Sequence, residues 1–520
     1  MKKISKLFTI AALVLGLVTL FSCTKNFEDI NTDPDNPGLD QAAPDMLLTG
    51  AIESMTDRVH EIFLGHEMGD CWVQHMAKVQ YTDEDRYIFR PSVVNNSWRS
   101  FYAASGMDVQ TIYNIGNPSY KGVALVLKVY IGSVMTDLFG PVPYSTAWKG
   151  VDGLLPAYED QKDIYYLMIS QLDSANSLLA TSIEGIGGDI LYGNDLMKWR
   201  KFANSLKIRL LMRMSDKDPA LVTTKLTEMV NDPATFPIFE SNDDNASLMY
   251  LGSAPNNNPI NENRKTRDDH RVSEHFINMM INNYGDYRVM VFANPTAGTD
   301  EFVGMPNGLT SADALAFNGN GLANTSKMGD YFVQATAPGQ LLVFAEQNFY
   351  LAEAAVKGYI PGGMIKAKEY YDAGVTASFD QYSDWLQTIF TDNWGGAYGG
   401  LAIDSGYTVA DELNWHITDP AAPAYFDAAA ITTEVALQKI GDERYIAQFD
   451  QGLQAWFDWR RTGYPNDIVA PPASQNQGKV PVRVPYPSDE YATNPTALQG
   501  GLGLLGGADD LNTKVWWDVN

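Results

Sequence analysis

The stretch DLMKWRKFANSLKIRLLMRMS, Asp195 to Ser215, decides the fold class. Phe202, Leu206, Leu210 and Met214 recur at every fourth position, while Lys201, Lys207, Arg209 and Arg213 supply polar flanks. That period is one apolar stripe on an α-helix facing a protein core. Tyr158 to Ala180 reads as its helical partner. Upstream, Trp98 to Asn114 and Tyr120 to Leu138 form another pair, separated by Gly116-Asn117-Pro118 and closed by Gly140-Pro141-Val142-Pro143. Such punctuation marks a helical hairpin. Downstream, Val343 to Lys357 places Ala345, Phe349, Ala352 and Val356 on one side, and after Gly358, Pro361 and Gly363 a partner runs to about Phe379. A last pair covers Thr432 to Phe449 and Leu453 to Arg460.

Helices in pairs of this size predict stacked tetratricopeptide-like units, although no strict consensus repeat is present. The expected class is mainly α, a tetratricopeptide-like helical scaffold with loop-rich insertions and a few short strands. The scaffold is expected over about 46–240 and 341–460, with a C-terminal segment over 461–520. Insertions at about 241–340 and 380–427 are rich in Asn, Gly, Pro and aromatic residues, so they read as long ordered loops, where function is commonly carried.

The N-terminus has a different character. Lys2, Lys3 and Lys6 precede an apolar run from Leu7 to Leu20, the layout of a secretory signal peptide over 1–22. Leu20-Phe21-Ser22-Cys23 completes it in the manner of a bacterial lipobox, which makes Cys23 the expected lipidated residue and lipid the expected membrane anchor. A polar tether over 23–45 follows; its Asp29, Asn31, Asp33, Asp35 spacing resembles a calcium loop, but Pro34 stands where the sharp turn needs Gly, so a chain of Asx turns is expected. Beyond residue 22 no apolar run is expected to cross a bilayer, and the rest of the chain is expected to be soluble. With 37 basic and 63 acidic residues and a net charge of −26, docking on nucleic-acid phosphates is disfavoured. Cys23 and Cys71 are the two cysteines, which excludes a disulfide framework and a thiolate metal cluster.

Catalytic signatures are poor. His60-Glu61 and His66-Glu67 lack the HExxH spacing, and there is no GxSxG elbow, Walker loop or convincing GxGxxG. Cys71 reads as a buried small apolar residue, and no cofactor or metal is expected. Candidate binding residues are instead aromatic rings beside polar groups in loops. Trp394 and Tyr398 sit in Trp394-Gly-Gly-Ala-Tyr-Gly-Gly400, where the glycines offer little to bury a ring, and Trp415 lies in the same insertion. Tyr81, Asp85, Arg86 and Tyr87 form a second group. Sugars stack on such rings through their C–H faces, and peptides can use the same equipment.

Several motifs occur in a fixed order: Asn31-Thr-Asp-Pro-Asp-Asn-Pro37, Asp137-Leu-Phe-Gly-Pro-Val-Pro-Tyr144, Phe202-Ala-Asn-Ser-Leu-Lys-Ile-Arg209, Phe349-Tyr-Leu-Ala-Glu-Ala-Ala355, Ala455-Trp-Phe-Asp-Trp-Arg-Arg-Thr-Gly-Tyr-Pro465, Pro481-Val-Arg-Val-Pro-Tyr-Pro487 and Val515-Trp-Trp-Asp518. Together they resemble the SusD/RagB family over nearly the whole chain after Cys23, with Asp286-Tyr287-Arg288 where the family's Asp-Pro-Arg is expected. The resemblance implies a SusD-like domain over 46–520 in a non-enzymatic outer-membrane lipoprotein, facing outward, that captures oligosaccharides or peptides and passes them to a SusC-like TonB-dependent transporter. Asn257, Arg264 and Asp268 join the candidate ligand residues on that reading. A secreted glycoside hydrolase and a helical adaptor that assembles surface proteins are the alternatives. The motifs themselves look like scaffold, with Trp456, Trp459, Arg460 and Arg461 spaced as core and salt-bridge residues.

Overall fold

The computed structural model describes residues 42–520; the expected signal peptide, Cys23 and nearly all of the expected tether lie outside the described residues. The helices that build the scaffold are α1 (Pro44–Val59), α2 (Gly106–Ile115), α3 (Pro118–Phe139), α4 (Gln161–Thr181), α5 (Leu196–Arg213), α6 (Pro219–Asn231), α7 (Phe344–Val356), α8 (Gly363–Gln381), α9 (Ser383–Asp392), α10 (Val409–Thr418), α11 (Thr433–Ala447) and α12 (Gly452–Thr462). Each packs on its predecessor along the stack: α2 on α3, α3 on α4, α4 on α5. Then α5 meets α7 across the first insertion, α7 meets α8, and α11 returns to cover α7. The fold is therefore a mainly helical, tetratricopeptide-like scaffold.

Local chemistry sets the helix ends. Asn117 accepts the amide of Tyr120 ahead of Pro118, and Asp195, Asp218 and Thr432 cap α5, α6 and α11 with their side-chain oxygens. Each such cap contributes about 1 kcal/mol. Gly140 closes α3 with φ of +83°, a left-handed value that a side chain would resist. Helix α3 is long and apolar enough to span a bilayer, contrary to the expectation that no such run follows residue 22. Its apolar window is 94% buried, so its hydrophobicity is satisfied by the neighbouring helices.

The ordered motifs from Asp137 onward converge in one buried network. Arg209 on α5 makes paired 2.8 Å bonds to Glu346 on α7, and Arg461 and Arg444 both grip Glu353, at 2.5 and 2.8 Å. Asp137 accepts from Tyr165 at 2.5 Å and from the Trp517 indole at 2.7 Å, with Arg213 at 3.4 Å. The Arg460 guanidinium lies 3.9 Å over Trp456 and 4.6 Å from the Trp517 ring centre. Burial opposes ionisation of Glu353, but Arg461, Lys357 and Arg444 hold its carboxyl well below the usual range. The turn at Asp286-Tyr287-Arg288 is intact without proline: Arg288 bonds both Asp286 oxygens and reaches Glu443 at 2.8 Å.

Antiparallel strands Ala246–Met249 and Pro338–Leu342 clasp the base of the first insertion. Both insertions contain more helix than the sequence reading allowed. Short helices Pro259–Arg264, Glu274–Asn278, Val289–Phe292 and Ser311–Ala316 lie in the first, and α9 and α10 flank a hairpin, Gly396–Tyr398 with Leu401–Ile403, in the second. On α9 the buried face rests on Leu386 and Phe390, one turn apart, too short a stripe to stand out in the sequence. Cys71 is buried, and burial pushes its thiol well above the ordinary value, as suits a small apolar residue.

Candidate functional site

A second antiparallel pairing positions the site. Met76, Ala77 and Lys78 pair with Val272, Arg271 and His270, which sets the loops over 79–90 and 254–269 side by side. With the end of α1 and the π-helical segment Ile62–Asp70, they wall a cleft of about 850 Å³. That segment is held by backbone contact. A Cβ on Gly69 would sit 2.6 Å from the Leu453 nitrogen at the start of α12, so glycine is required there.

At the mouth of the cleft stands Tyr81, 59% exposed, with φ of +53°. A bulky residue with positive φ and an uncovered ring is strained and poorly buried at once, a combination that clusters at functional positions. The Arg267 guanidinium stacks 4.1 Å over its ring, and Phe63 offers a second ring, 40% exposed. Deeper in the wall, Asn257 donates to Asn261 at 2.8 Å and to Glu262 at 3.0 Å, leaving its carbonyl oxygen without a partner. Glu67 binds Lys78 through Oε1 while Oε2 has none, and burial pushes its carboxyl up to about 7 against the pull of Lys78. Lys78 also faces Asp269 at 3.2 Å, and Arg90 pairs with Glu84. The arrangement offers aromatic faces at the rim and unsatisfied acceptors within, which suits hydroxyl-rich ligands.

The other candidates lie elsewhere. Asp85 is buried and pins its loop, accepting from Asn307 at 2.7 Å and from the Gly308 amide at 2.9 Å; burial pushes it up to about 6. Tyr87 is buried, and Arg86 donates to the Ala473 carbonyl at 3.3 Å in the C-terminal segment. Of that group Tyr81 alone lines the cleft. Arg264 and Asp268 pair at 3.2 Å beside a small recess next to it. Tyr398 lines a separate cleft with Trp385, Asn294 and Asp330. Trp394 is 44% exposed, but its indole donates to the Tyr407 carbonyl at 3.1 Å, and half-buried Trp415 packs against His416 and covers Gly285. Sequence reading missed Phe63 and Arg267: the first sits in a π-helical turn without a regular period, and the second matters only through its stack on Tyr81.

Among the described residues, two buried groups could present metal ligands, His66 with Asp70 and Asp450, and Asp286 with Glu412 and His416. In the first, His66 bonds Asp70 at 2.7 Å, while its other ring nitrogen and an Asp450 oxygen have no hydrogen-bond partner; in the second, Asp286 is gripped by Arg288.

The family model described as "Starch-binding associating with outer membrane" matches residues 36–487. No curated protein matches the chain. Among solved structures, a chitin-binding protein is 26% identical with a TM-score of 0.75, covering 92% of this chain and 100% of its own. A chitin-binding SusD homolog from Flavobacterium johnsoniae is 26% identical with a TM-score of 0.73, covering 91% and 99%. A SusD homolog from Bacteroides fragilis, 23% identical with a TM-score of 0.72 over 92% and 99%, shares the fold. The ordered motifs, the helical stack they hold together and the match over most of the sequence agree: the chain belongs to the SusD-like family of starch-binding proteins that associate with the outer membrane.

Proposed function

We propose that the protein is an outward-facing lipoprotein, anchored through Cys23, that captures neutral oligosaccharides in the Tyr81 cleft and passes them to a SusC-like TonB-dependent transporter. The observation that carries this reading is the exposed Tyr81 ring, held at positive φ and stacked by Arg267, over a cleft of about 850 Å³ with unpartnered Asn257 and Glu67 oxygens. A sugar ring would lie on Tyr81 and direct its hydroxyls to those oxygens. Chitin binding by two relatives makes N-acetylglucosamine oligomers the first ligands to try. Capture is reversible.

Titration calorimetry with chitin- and starch-derived oligosaccharides tests the reading. Loss of one stacking ring is worth about 1–2 kcal/mol, so Tyr81→Ala should weaken capture roughly five- to thirtyfold without lowering the melting temperature. Equal affinity for the variant, or release of new reducing ends by the wild type, would overturn it. The anchor is tested separately: Cys23→Ala should move the protein from the outer-membrane fraction to the soluble one.

A further inference from the structure

On the helical stack, away from the Tyr81 cleft, lies a second cleft of about 550 Å³ between α2, α3, α4 and the loop over 145–149. In a chain with 63 acidic residues, no carboxylate among the described residues lines it; the charged wall residues among them are Lys128 and Lys149. Neither lysine has an ion-pair partner among the described residues. The carboxylate nearest to Lys128 in influence, Glu159, spends one oxygen on the backbone amides of Tyr144 and Ser145, at 2.9 and 2.7 Å.

The hydrogen bonds in this cleft run in one direction. Lys128 has only donors, so at 2.8 Å it must bond the carbonyl oxygen of Gln110, and the Gln110 amide nitrogen then donates to the Asn114 carbonyl oxygen at 2.9 Å. The chain ends on the Asn114 amide nitrogen, whose donors have no partner among the described residues. A second chain runs from the Tyr144 hydroxyl to the Gln171 carbonyl oxygen at 2.6 Å and ends on the Gln171 amide nitrogen in the same way. Two ammonium groups and two terminal amides thus face one space as donors. Lys128, half-buried against the Trp148 and Tyr144 rings at 5.2 and 5.7 Å, has no carboxylate within ion-pair distance among the described residues, and Glu159 acts on it only from farther away. An uncompensated, partly desolvated ammonium is costly until an anion arrives.

We infer that this cleft is an oxyanion site that receives the carboxylate or sulfate group of a small acidic sugar on Lys128, Lys149, Asn114 and Gln171. Tyr113, exposed at the rim, supplies a ring face for the sugar. The site is independent of the Tyr81 cleft and of the neutral ligands proposed there. The charged groups facing Lys128 are Glu159, which favours its ammonium form, and Lys149, which disfavours it; burial dominates and holds it down to about 8. Anion affinity should accordingly hold near pH 7 and fall as the pH rises toward 9, because the neutral amine attracts no anion.

Calorimetry on the full-length protein with glucuronate, glucose and inorganic sulfate tests this. Glucuronate should bind at pH 7 and weaken at least threefold by pH 9, while glucose should give no heat at this site. Lys128→Met should weaken glucuronate at least tenfold and leave neutral oligosaccharide capture unchanged. Asn114→Ala, at an exposed helix end, should weaken it about threefold even if the lysine variant folds poorly. Sulfate competing as strongly as glucuronate would support the oxyanion site and assign it to the anion alone; weaker competition would support recognition of the sugar as well. Glucuronate binding no tighter than glucose, or full glucuronate affinity in both variants, would overturn the proposal.

Discussion

The Arg267 guanidinium lies 4.1 Å over the Tyr81 ring, joining two loops that meet only because Lys78 pairs with His270 behind them. The stack fixes the ring that stands at the cleft mouth. An exposed cation–π contact is worth about 0.5–1 kcal/mol, so Arg267→Ala should weaken oligosaccharide capture roughly two- to fivefold. Arg267→Lys should recover part of the loss. Affinities from calorimetry decide this, and an Arg267→Ala variant that binds as the wild type does would deny the stack any role in capture.

The scaffold prediction concerns Glu346, which compensates the fully buried Arg209. Glu346→Gln leaves that cation without its counter-charge, and breaking a buried pair costs about 3–5 kcal/mol. Denaturant unfolding should show a loss of that order. The double variant Arg209→Met, Glu346→Met should lose less than the single one, since it removes both charges together. A single variant as stable as the wild type would show that the pair does not hold α5 to α7.

Asp450 gives a pH signature. It is buried with one oxygen unpartnered, and burial pushes its carboxyl up to about 8. In the unfolded chain it ionises near pH 4, so the native state binds the extra proton between about pH 4 and about 8. Its contribution therefore destabilises progressively as pH rises through that window. Asp450→Asn does not titrate, tolerates the φ of +67°, and leaves His66 bonded to Asp70. The gain in melting temperature of the variant over the wild type should grow from pH 4 to pH 8. An offset independent of pH would contradict the assignment.

Trp394 separates the two aromatic regions. Its indole is tied to Tyr407, and the ring does not line the Tyr81 cleft. Trp394→Ala should leave oligosaccharide affinity within about twofold of the wild type and act, if at all, on thermal stability, because an exposed ring loses little packing. A large fall in affinity with unchanged melting would move the site to the second insertion.

The scaffold was legible because its signals are local. The four-residue period of Phe202 to Met214 and the Gly140 stop each specify their own helix, and the structure places α5 and α3 within two residues of the expected limits. Helix α10 escaped, though its start was written in Thr408 and Asp411, which form a reciprocal capping box. The site was less legible, since its parts meet only through the pairing of residues 76–78 with 270–272. Tyr81 and Asn257 could be singled out as an exposed ring and a polar loop residue. Nothing in the sequence distinguished Tyr81 from Tyr87, two aromatic residues six positions apart, both with positive φ, of which one is exposed and the other buried.

A crystal structure of the protein with the tightest-binding neutral oligosaccharide tests the account most directly. The account predicts a sugar ring stacked on Tyr81, with hydroxyl groups within hydrogen-bond distance of the Asn257 carbonyl oxygen. An oligosaccharide seated instead against Trp385 and Tyr398, with the Tyr81 cleft empty, would contradict it.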